Sequence, residues 1–156
     1  MKKVGFTIGK FAPFHKGHQF LLETALNEME EMYVVVYDTD VIKISVEERA
    51  KWIKELYPNV NIIYAFNSPK QYGLDEKSVN IQMKYLSKLI EGIPVTHFYS
   101  SEPYGEKVAK YLKIENRLVD KERKRIPISA TKIRNDYYEN KKYLEDVVIK
   151  NLTEWT

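Results

Sequence analysis

The sequence has 156 residues, of which 44% are hydrophobic and 30% are charged, as is typical of one globular domain with a sizeable core. It contains no cysteine, which excludes a disulfide framework and a thiolate zinc site, and its net charge of +3 does not require a nucleic-acid partner. No apolar run approaches the ~18 residues of a membrane span, so we expect a cytoplasmic protein with no membrane partner.

Short apolar runs alternate with stretches of helical periodicity in the first half of the chain. Residues 4–8 form a β-prone run, and residues 33–37 form a continuous apolar run that is typical of a strand buried on both faces. Between them, over residues 19–32, the apolar residues fall on one stripe of a helix. Ser45 is a favourable N-cap for the next helix, and residues 60–66 predict the third strand.

The same alternation continues in the second half and predicts the fold. Strands that alternate with helices favour a parallel sheet flanked by helices. We therefore predict an α/β fold, a Rossmann-like doubly wound parallel sheet of about five strands, in a single domain over residues 1–156. The predicted elements of this half are a helix at 78–91, a strand at 95–99, a helix at 104–112, a strand at 117–119, a helix from Ser129 and helical material at 141–152.

The segment that follows the first strand carries two histidines where the first helix begins. Ligands of an open α/β sheet bind beyond the carboxyl ends of the strands, and residues 9–18 leave the first strand at that edge. A helix N-terminus favours anions, Gly17 allows a close backbone approach, and two imidazoles can donate to phosphoryl oxygens. An incidental pair and a metal site are the alternatives for His15 and His18, although only His97 is left as a further histidine for zinc.

A second motif, Ile-Ser-Ala-Thr-Lys-Ile-Arg, occupies residues 128–134. The simplest interpretation is that Ser129 and Thr131 cap a helix and that Arg134 is a surface charge. The alternative is a second helix N-terminus whose hydroxyls and cations bind an anion such as pyrophosphate. Nearby basic residues favour this polyphosphate site over a solvated basic face: they are Lys121, Arg123, Lys124, Arg125, Lys132 and Arg134.

Together the two motifs resemble those of the nucleotidyltransferase superfamily of His-x-Gly-His enzymes. In that family the first motif follows strand one, and Ile-Ser-x-Thr-x-x-Arg opens a late helix. Further segments, at residues 46–49, 99–102 and 119–134, are similar to the NadR-type nicotinamide-nucleotide adenylyltransferases. Proteins of that type often add a kinase domain and a DNA-binding domain. These 156 residues contain neither the Gly-x-x-x-x-Gly-Lys-Ser/Thr loop of such a kinase nor the DNA-binding domain, so we predict neither kinase nor repressor activity.

The resemblance implies transfer of the adenylyl group of ATP to nicotinamide mononucleotide, which gives NAD and pyrophosphate. It implies His18, His15 and Lys10 as catalytic residues, with His18 at the α-phosphate. The implied ATP- and phosphate-binding residues are Gly9, Phe11, Gly17, Arg123, Ser129, Thr131 and Arg134. The implied adenosine or substrate region consists of Ser100, Ser101, Glu102, Arg49 and Tyr72. Mg²⁺ is the expected cofactor, held mainly by substrate phosphates and water rather than by a protein metal site.

Several alternatives stay open at the level of the sequence. The acceptor could be phosphopantetheine, flavin mononucleotide or glycerol phosphate. His15 argues against the first, because phosphopantetheine adenylyltransferases commonly have threonine there. Gly9-Lys10-Phe11-Ala12 departs from the Gly-x-Phe-Asp of glycerol-phosphate cytidylyltransferases. Tyr72 stands where relatives commonly have a tryptophan near the pyridine. A nucleotide sensor without turnover, and a nucleic-acid-binding module, are further alternatives. The expected partners are ATP and nicotinamide mononucleotide without nucleic acid, and a homo-oligomer is left open.

Overall fold

A five-stranded parallel sheet forms the centre of the computed structural model, which describes residues 1–70, 73–120 and 123–152. The strands are Val4–Gly9 (β1), Glu31–Tyr37 (β2), Asn61–Ala65 (β3), His97–Ser100 (β4) and Glu115–Leu118 (β5). Their order across the sheet is β3-β2-β1-β4-β5. The chain builds outward from β1 to β3 and then crosses back to β4. The strand order therefore reverses between β1 and β4, where ligands of such folds bind.

Helices connect these strands and follow the last one. The α-helices of the described residues are Lys16–Glu28 (α1), Val46–Leu56 (α2), Glu76–Leu89 (α3), Gly105–Leu112 (α4), Ala130–Asn135 (α5), Tyr137–Asn140 (α6) and Asp146–Leu152 (α7), and a 3₁₀ helix spans Lys141–Tyr143. The predicted caps at Ser45 and Ser129 are confirmed. Their hydroxyls accept hydrogen bonds from the backbone N–H of Glu48 at 3.1 Å and of Lys132 at 3.2 Å.

The ends of the first helix were predicted wrongly. The helix was expected over residues 19–32, but it begins at Lys16 and ends at Glu28. It begins early because the side chain of His15 caps its first turn. It ends early because Met32 pairs with Gly5 in the ladder between β1 and β2. An apolar residue such as Met32 fits either pattern, and the strand pairing decides between them.

The apolar side chains of the strands alternate between two faces, and different helices cover each face. Val34 and Val36 pack on one face with residues of α1, α2, α5 and α7. Val35 points to the other face, where it joins Phe6, Phe98 and residues of α3 and α4. Each of these strand side chains is fully buried. This two-sided cover confirms the predicted doubly wound α/β fold.

Within the described ranges, no helix combines the length and the apolar character that crossing a membrane requires.

Candidate active site

A cavity of about 430 Å³ opens at the carboxyl ends of β1 and β4, where the strand order reverses. We call it the first cavity. It brings together the two motifs that lie far apart in the sequence. The predicted site residues that line it are Gly9, Lys10, Phe11, His15, Gly17, His18, Ser100, Ser101, Glu102, Arg123, Ser129 and Thr131.

The two histidines of the first motif cap the helix reciprocally. The Nδ1 atom of His15 accepts hydrogen bonds from the backbone N–H of Gly17 at 3.0 Å and of His18 at 3.4 Å. In return, the Nδ1 atom of His18 accepts one from the backbone N–H of His15 at 3.1 Å. The two rings stack with their centroids 3.6 Å apart. Because Nδ1 is the acceptor in both rings, the neutral form carries its proton on Nε2.

Burial keeps both imidazoles neutral. Burial, and to a lesser degree the charge of Arg123, lowers the pKa of His15 to about 3. The pKa of His18 is held well below its ordinary value by burial first, and then by the neighbouring His15 and Arg123. Both rings line the first cavity. They therefore offer a ligand two N–H donors whose state does not change near neutral pH.

Gly17 makes room for the ring of His15. A Cβ atom at position 17 would lie 2.8 Å from Cε1 and 3.0 Å from Nδ1 of that ring. The ring would have to leave the helix start, and its capping bonds would be lost. The sequence suggested that this glycine admits a phosphate to the backbone. The structure adds a steric requirement inside the motif, which explains the glycine between the two histidines.

Asp120 organises the loop that follows β5. Its carboxylate accepts hydrogen bonds from the backbone N–H groups of Lys124 at 2.9 Å, Arg125 at 3.0 Å and Ile126 at 2.9 Å. Burial raises the pKa of Asp120, but these N–H donors outweigh it and hold the pKa below its ordinary value. Asp120 lines the first cavity and was not predicted as a site residue. Its signals in the sequence are its place directly after a strand and its position in the segment at residues 119–134 that carries the family resemblance.

Arg123 joins the loops that follow β4 and β5. Its Nη2 donates to Oε1 of Glu102 at 2.7 Å, and its Nη1 donates to the carbonyl of Ile128 at 2.8 Å. The guanidinium also lines the first cavity, as was expected of a phosphate-binding residue. The ion pair thus links the two loops within the wall of the cavity.

Lys10 stands where cations gather at the end of β1. Burial lowers the pKa of Lys10, and the charges of Arg134 and Lys70 lower it further, while Asp40 raises it. A lysine whose ammonium is disfavoured by other cations is stabilised when an anion arrives. This electrostatic setting suits a phosphate.

Arg49 is buried and is absent from the wall of the first cavity. Only 1% of the residue is exposed. Its Nε donates to the carbonyl of Ile44 at 3.0 Å, and its Nη1 donates to the carbonyls of Lys10 and of Tyr37, the latter at 2.8 Å. Burial lowers the pKa of Arg49, and Asp38 opposes that effect. The structure therefore places this predicted substrate residue where it holds the backbone that carries Lys10.

Arg134 also holds backbone, on the other side of the same loop. Its Nη1 donates to the carbonyl of Ala12 at 2.7 Å, and its Nη2 donates to Oγ1 of Thr131 at 3.3 Å. Arg134 does not line the first cavity, but it supports Thr131, which does. Tyr72, the remaining predicted substrate residue, lies outside the described residues.

A second cavity of about 260 Å³ adjoins the first. The two cavities share the wall formed by Ile8, Gly9, Lys10 and Tyr104. Tyr104 had no signal in the sequence, because neither motif contains it and its spacing marks only a helix start. Since the end of β1 separates the two spaces, a ligand in each would meet the other near Lys10.

His97, the third histidine, lies at the amino-terminal end of β4, whereas the first cavity opens at the carboxyl ends of the strands. It is the first residue of β4, and its Nδ1 lies 2.8 Å from Oγ1 of Thr96. Among the residues that the structure describes, no group of three or more histidine, aspartate or glutamate side chains could hold a metal ion. The zinc alternative for His15 and His18 therefore finds no third ligand there.

A doubly wound sheet with a cavity at its switch point is the arrangement in which α/β domains bind their ligands beyond the carboxyl ends of the strands. Residues 6–136 match the cytidylyltransferase-like family, and the chain belongs to that family. The resemblance to the nucleotidyltransferase superfamily is thereby confirmed.

Two curated relatives are similar over almost all of this chain. The trifunctional NAD biosynthesis/regulator protein NadR of Salmonella typhimurium is 28% identical over 161 residues, which cover 92% of this chain and 39% of that protein. The protein of the same name from Escherichia coli is 27% identical with the same coverage. The chain thus spans well under half the length of these relatives.

Solved structures share the fold at lower identity. A NadR protein in complex with NAD and AMP-PNP has a TM-score of 0.68 and 23% identity, over 94% of this chain and 46% of that chain. A bifunctional NMN adenylyltransferase/ADP ribose pyrophosphatase from Francisella tularensis has a TM-score of 0.65 and 22% identity, over 92% and 44%. A putative nicotinate-nucleotide adenylyltransferase from Vibrio parahaemolyticus has a TM-score of 0.62 and 18% identity, over 98% and 99%.

The buried histidines predict that stability falls with acid. The unfolded chain protonates these rings near pH 6.5, whereas folded His15 does so only at about pH 3. Because the unfolded state binds more protons in this window, stability is lost as pH falls below about 6.5. We expect a loss of up to ~1.4 kcal/mol per pH unit for each histidine, measured by urea denaturation between pH 6.5 and 5. His15→Asn keeps a capping oxygen and should flatten the slope. An unchanged slope would contradict the assignment.

Arg49→Lys is expected to lower the free energy of unfolding by about 2–4 kcal/mol. The reason is that the single ammonium nitrogen of lysine cannot donate to all the carbonyls to which the guanidinium donates. Chemical denaturation at pH 7 measures this change. Lys51→Arg is the matched control, since Lys51 is an exposed residue of the same helix, and a change below about 0.5 kcal/mol is expected for it. Equally small changes in both variants would show that Arg49 does not hold this backbone.

Proposed function

We propose that the chain transfers the adenylyl group of ATP to nicotinamide mononucleotide and releases NAD and pyrophosphate. One observation carries this proposal. The first cavity is lined by His15, His18, Ser129 and Thr131, and a second cavity adjoins it at Lys10. Two adjoining cavities suit a reaction that joins two nucleotides. The names of the relatives, which include NAD biosynthesis and NMN adenylyltransferase, support this acceptor.

The reaction requires little covalent chemistry from the protein. A phosphate oxygen of the mononucleotide attacks the α-phosphorus of ATP, and the bond from that phosphorus to the oxygen bridging to the β-phosphate breaks. The nucleophile is already an anion, so no strong base is needed. Catalysis then consists of positioning and of stabilising the charge that develops on the α-phosphate. In this scheme the Nε2–H of His18 donates to an α-phosphoryl oxygen.

The remaining site residues have roles that follow from their places. His15 and Lys10 bind phosphates of ATP and of the mononucleotide, because Lys10 lines both cavities. Ser129 and Thr131 hold the departing β- and γ-phosphates from the wall of the first cavity, and Arg134 supports Thr131 through its hydrogen bond. Helix α1 adds the favourable end of its dipole beside the same space.

Magnesium belongs with the ATP in this proposal. The carboxylates among the described residues of the first cavity are Glu102 and Asp120. Glu102 is paired with Arg123, and Asp120 accepts three backbone N–H groups. The chain therefore leaves the metal to phosphate oxygens and water, where Mg²⁺ screens the polyphosphate.

The direct test is a product assay with ATP, Mg²⁺ and a panel of phosphate acceptors. The panel contains nicotinamide mononucleotide, its deamido form, flavin mononucleotide, phosphopantetheine and glycerol phosphate. We expect NAD from the first acceptor, detected by chromatography together with pyrophosphate. Product with flavin mononucleotide and none with either pyridine nucleotide would overturn the acceptor and retain the enzyme class.

His18→Ala is expected to lower kcat by about 100-fold, because it removes a donor to the reacting phosphate. His18→Asn retains an oxygen that can accept from the backbone N–H of His15 and separates the loss of the cap from the loss of Nε2–H. His97→Ala is the matched control, since His97 lies at the amino-terminal end of β4, away from the first cavity. Near-normal kcat in both His18 variants would remove this residue from the reaction.

A further inference from the structure

The charged side chains among the described residues that line the second cavity are all positive. Its lining includes two lysines, Lys10 and Lys107, and among the described residues it includes no aspartate or glutamate. The other lining groups are apolar or neutral, such as Val79 and Met83 of α3 and Val108 of α4. A small space with weakly polar walls and two cations strengthens the attraction of an anion that enters it.

Lys107 is an exposed residue of helix α4 and lines this wall. Its Nζ donates to the carbonyl of Leu74 at 2.5 Å, and both residues line the cavity. That carbonyl positions the ammonium without neutralising it. None of the ion pairs found among the described residues involves Lys107. The carboxylate of Asp75 is held by the backbone N–H of Ser78 at 3.1 Å, and the charge of Lys107 contributes to lowering its pKa after the bonds from Ser78.

For the proposed reaction, the two lysines of the second cavity suit the two ends of a mononucleotide. Lys10 is shared with the first cavity, where the transferred group must be, so the acceptor phosphate belongs beside Lys10. The pyridine ring then extends into the apolar part of the second cavity, away from the shared wall. Lys107 does not line the first cavity and is the cation left for the substituent of the ring.

We infer that the second cavity accepts the acidic form of the pyridine mononucleotide, which carries a carboxylate on the ring, and that Lys107 is the residue that admits it. The inference rests on the proposed function and deepens it, since both forms undergo the same adenylyl transfer. An amide oxygen can accept a hydrogen bond from the ammonium of Lys107, whereas a carboxylate adds to that bond the attraction between opposite charges. A cavity wall with a carboxylate would reject the acid, and the described wall has none.

The test compares kcat/KM for the acid and the amide mononucleotides in the wild type and in three variants, with ATP and Mg²⁺ present. Lys107→Glu reverses the charge and is expected to lower the ratio of acid to amide by about tenfold, and Lys107→Met by about threefold. Lys107→Arg should preserve the ratio. Lys110→Glu is the matched control, because Lys110 is exposed on the same helix and does not line the cavity. Raising the salt concentration should lower the kcat/KM of the acid more than that of the amide.

The outcomes separate this inference from the proposed function. Turnover of both forms, with the ratio lowered by Lys107→Glu and unchanged by Lys110→Glu, supports the inference. Turnover of the acid alone, with the same response, supports it and corrects the proposed acceptor. Turnover of the amide alone, or an acid-to-amide ratio of kcat/KM that Lys107→Glu does not change, overturns the inference and leaves the proposed function standing. If neither form reacts, the proposed function fails and the inference fails with it.

Discussion

The reciprocal capping of helix α1 by His15 and His18 is the interaction on which the first cavity depends. Each ring accepts a backbone N–H from the other residue, so the rings and the helix start fix one another. The same bonds leave Nε2–H as the free donor of each neutral ring. Gly17 is required because a side chain there would meet the ring of His15. Helix initiation, histidine tautomer and donor direction thus arise from one short segment.

Three arginine side chains of this protein hold loops in place by donating hydrogen bonds to backbone carbonyls. Arg49 and Arg134 donate to carbonyls on either side of the loop between β1 and α1, and Arg123 does the same for the loop before α5. A guanidinium presents several donors in one plane, which suits it to several carbonyls at once. A carbonyl is a neutral acceptor, so these hydrogen bonds leave the guanidinium with its positive charge. After burial, the charges of Arg134 and Arg49 also contribute to lowering the pKa of Lys10, and these positive surroundings favour an anion.

The end of β1 divides the binding region into two spaces with different characters. The first cavity has polar side chains and loop backbone on its walls, whereas the second is mainly apolar between α3 and α4. Gly9 belongs to the wall that the two cavities share, and a Cβ there would lie 3.1 Å from the ring of Phe11. Two ligands can therefore lie on either side of one strand end. This geometry relates the doubly wound topology to a reaction between two substrates.

By itself, the sequence determined the features that depend on near neighbours. The alternation of strands and helices followed from hydrophobic periodicity, and the caps at Ser45 and Ser129 followed from residue type. The two phosphate motifs were visible because strand, loop and helix start are consecutive in the chain. Most of the predicted cavity residues came from these motifs and from the segments that the family resemblance added. The end of the first helix was predicted wrongly because an apolar residue such as Met32 fits the periodicity of a helix and that of a strand.

The tertiary structure alone decided everything that depends on distant parts of the chain. Only the pairing of β4 with β1 brings Ser100 and Gly9 into the wall of one cavity. Only packing buries Arg49 against three carbonyls, and a charged residue on a helix gives no local sign of that. The placement of Lys107 in the second cavity likewise requires α3 and α4 to lie side by side. Local patterns fix the period and the caps of each element, whereas the crossovers and the burial of both sheet faces fix which elements meet.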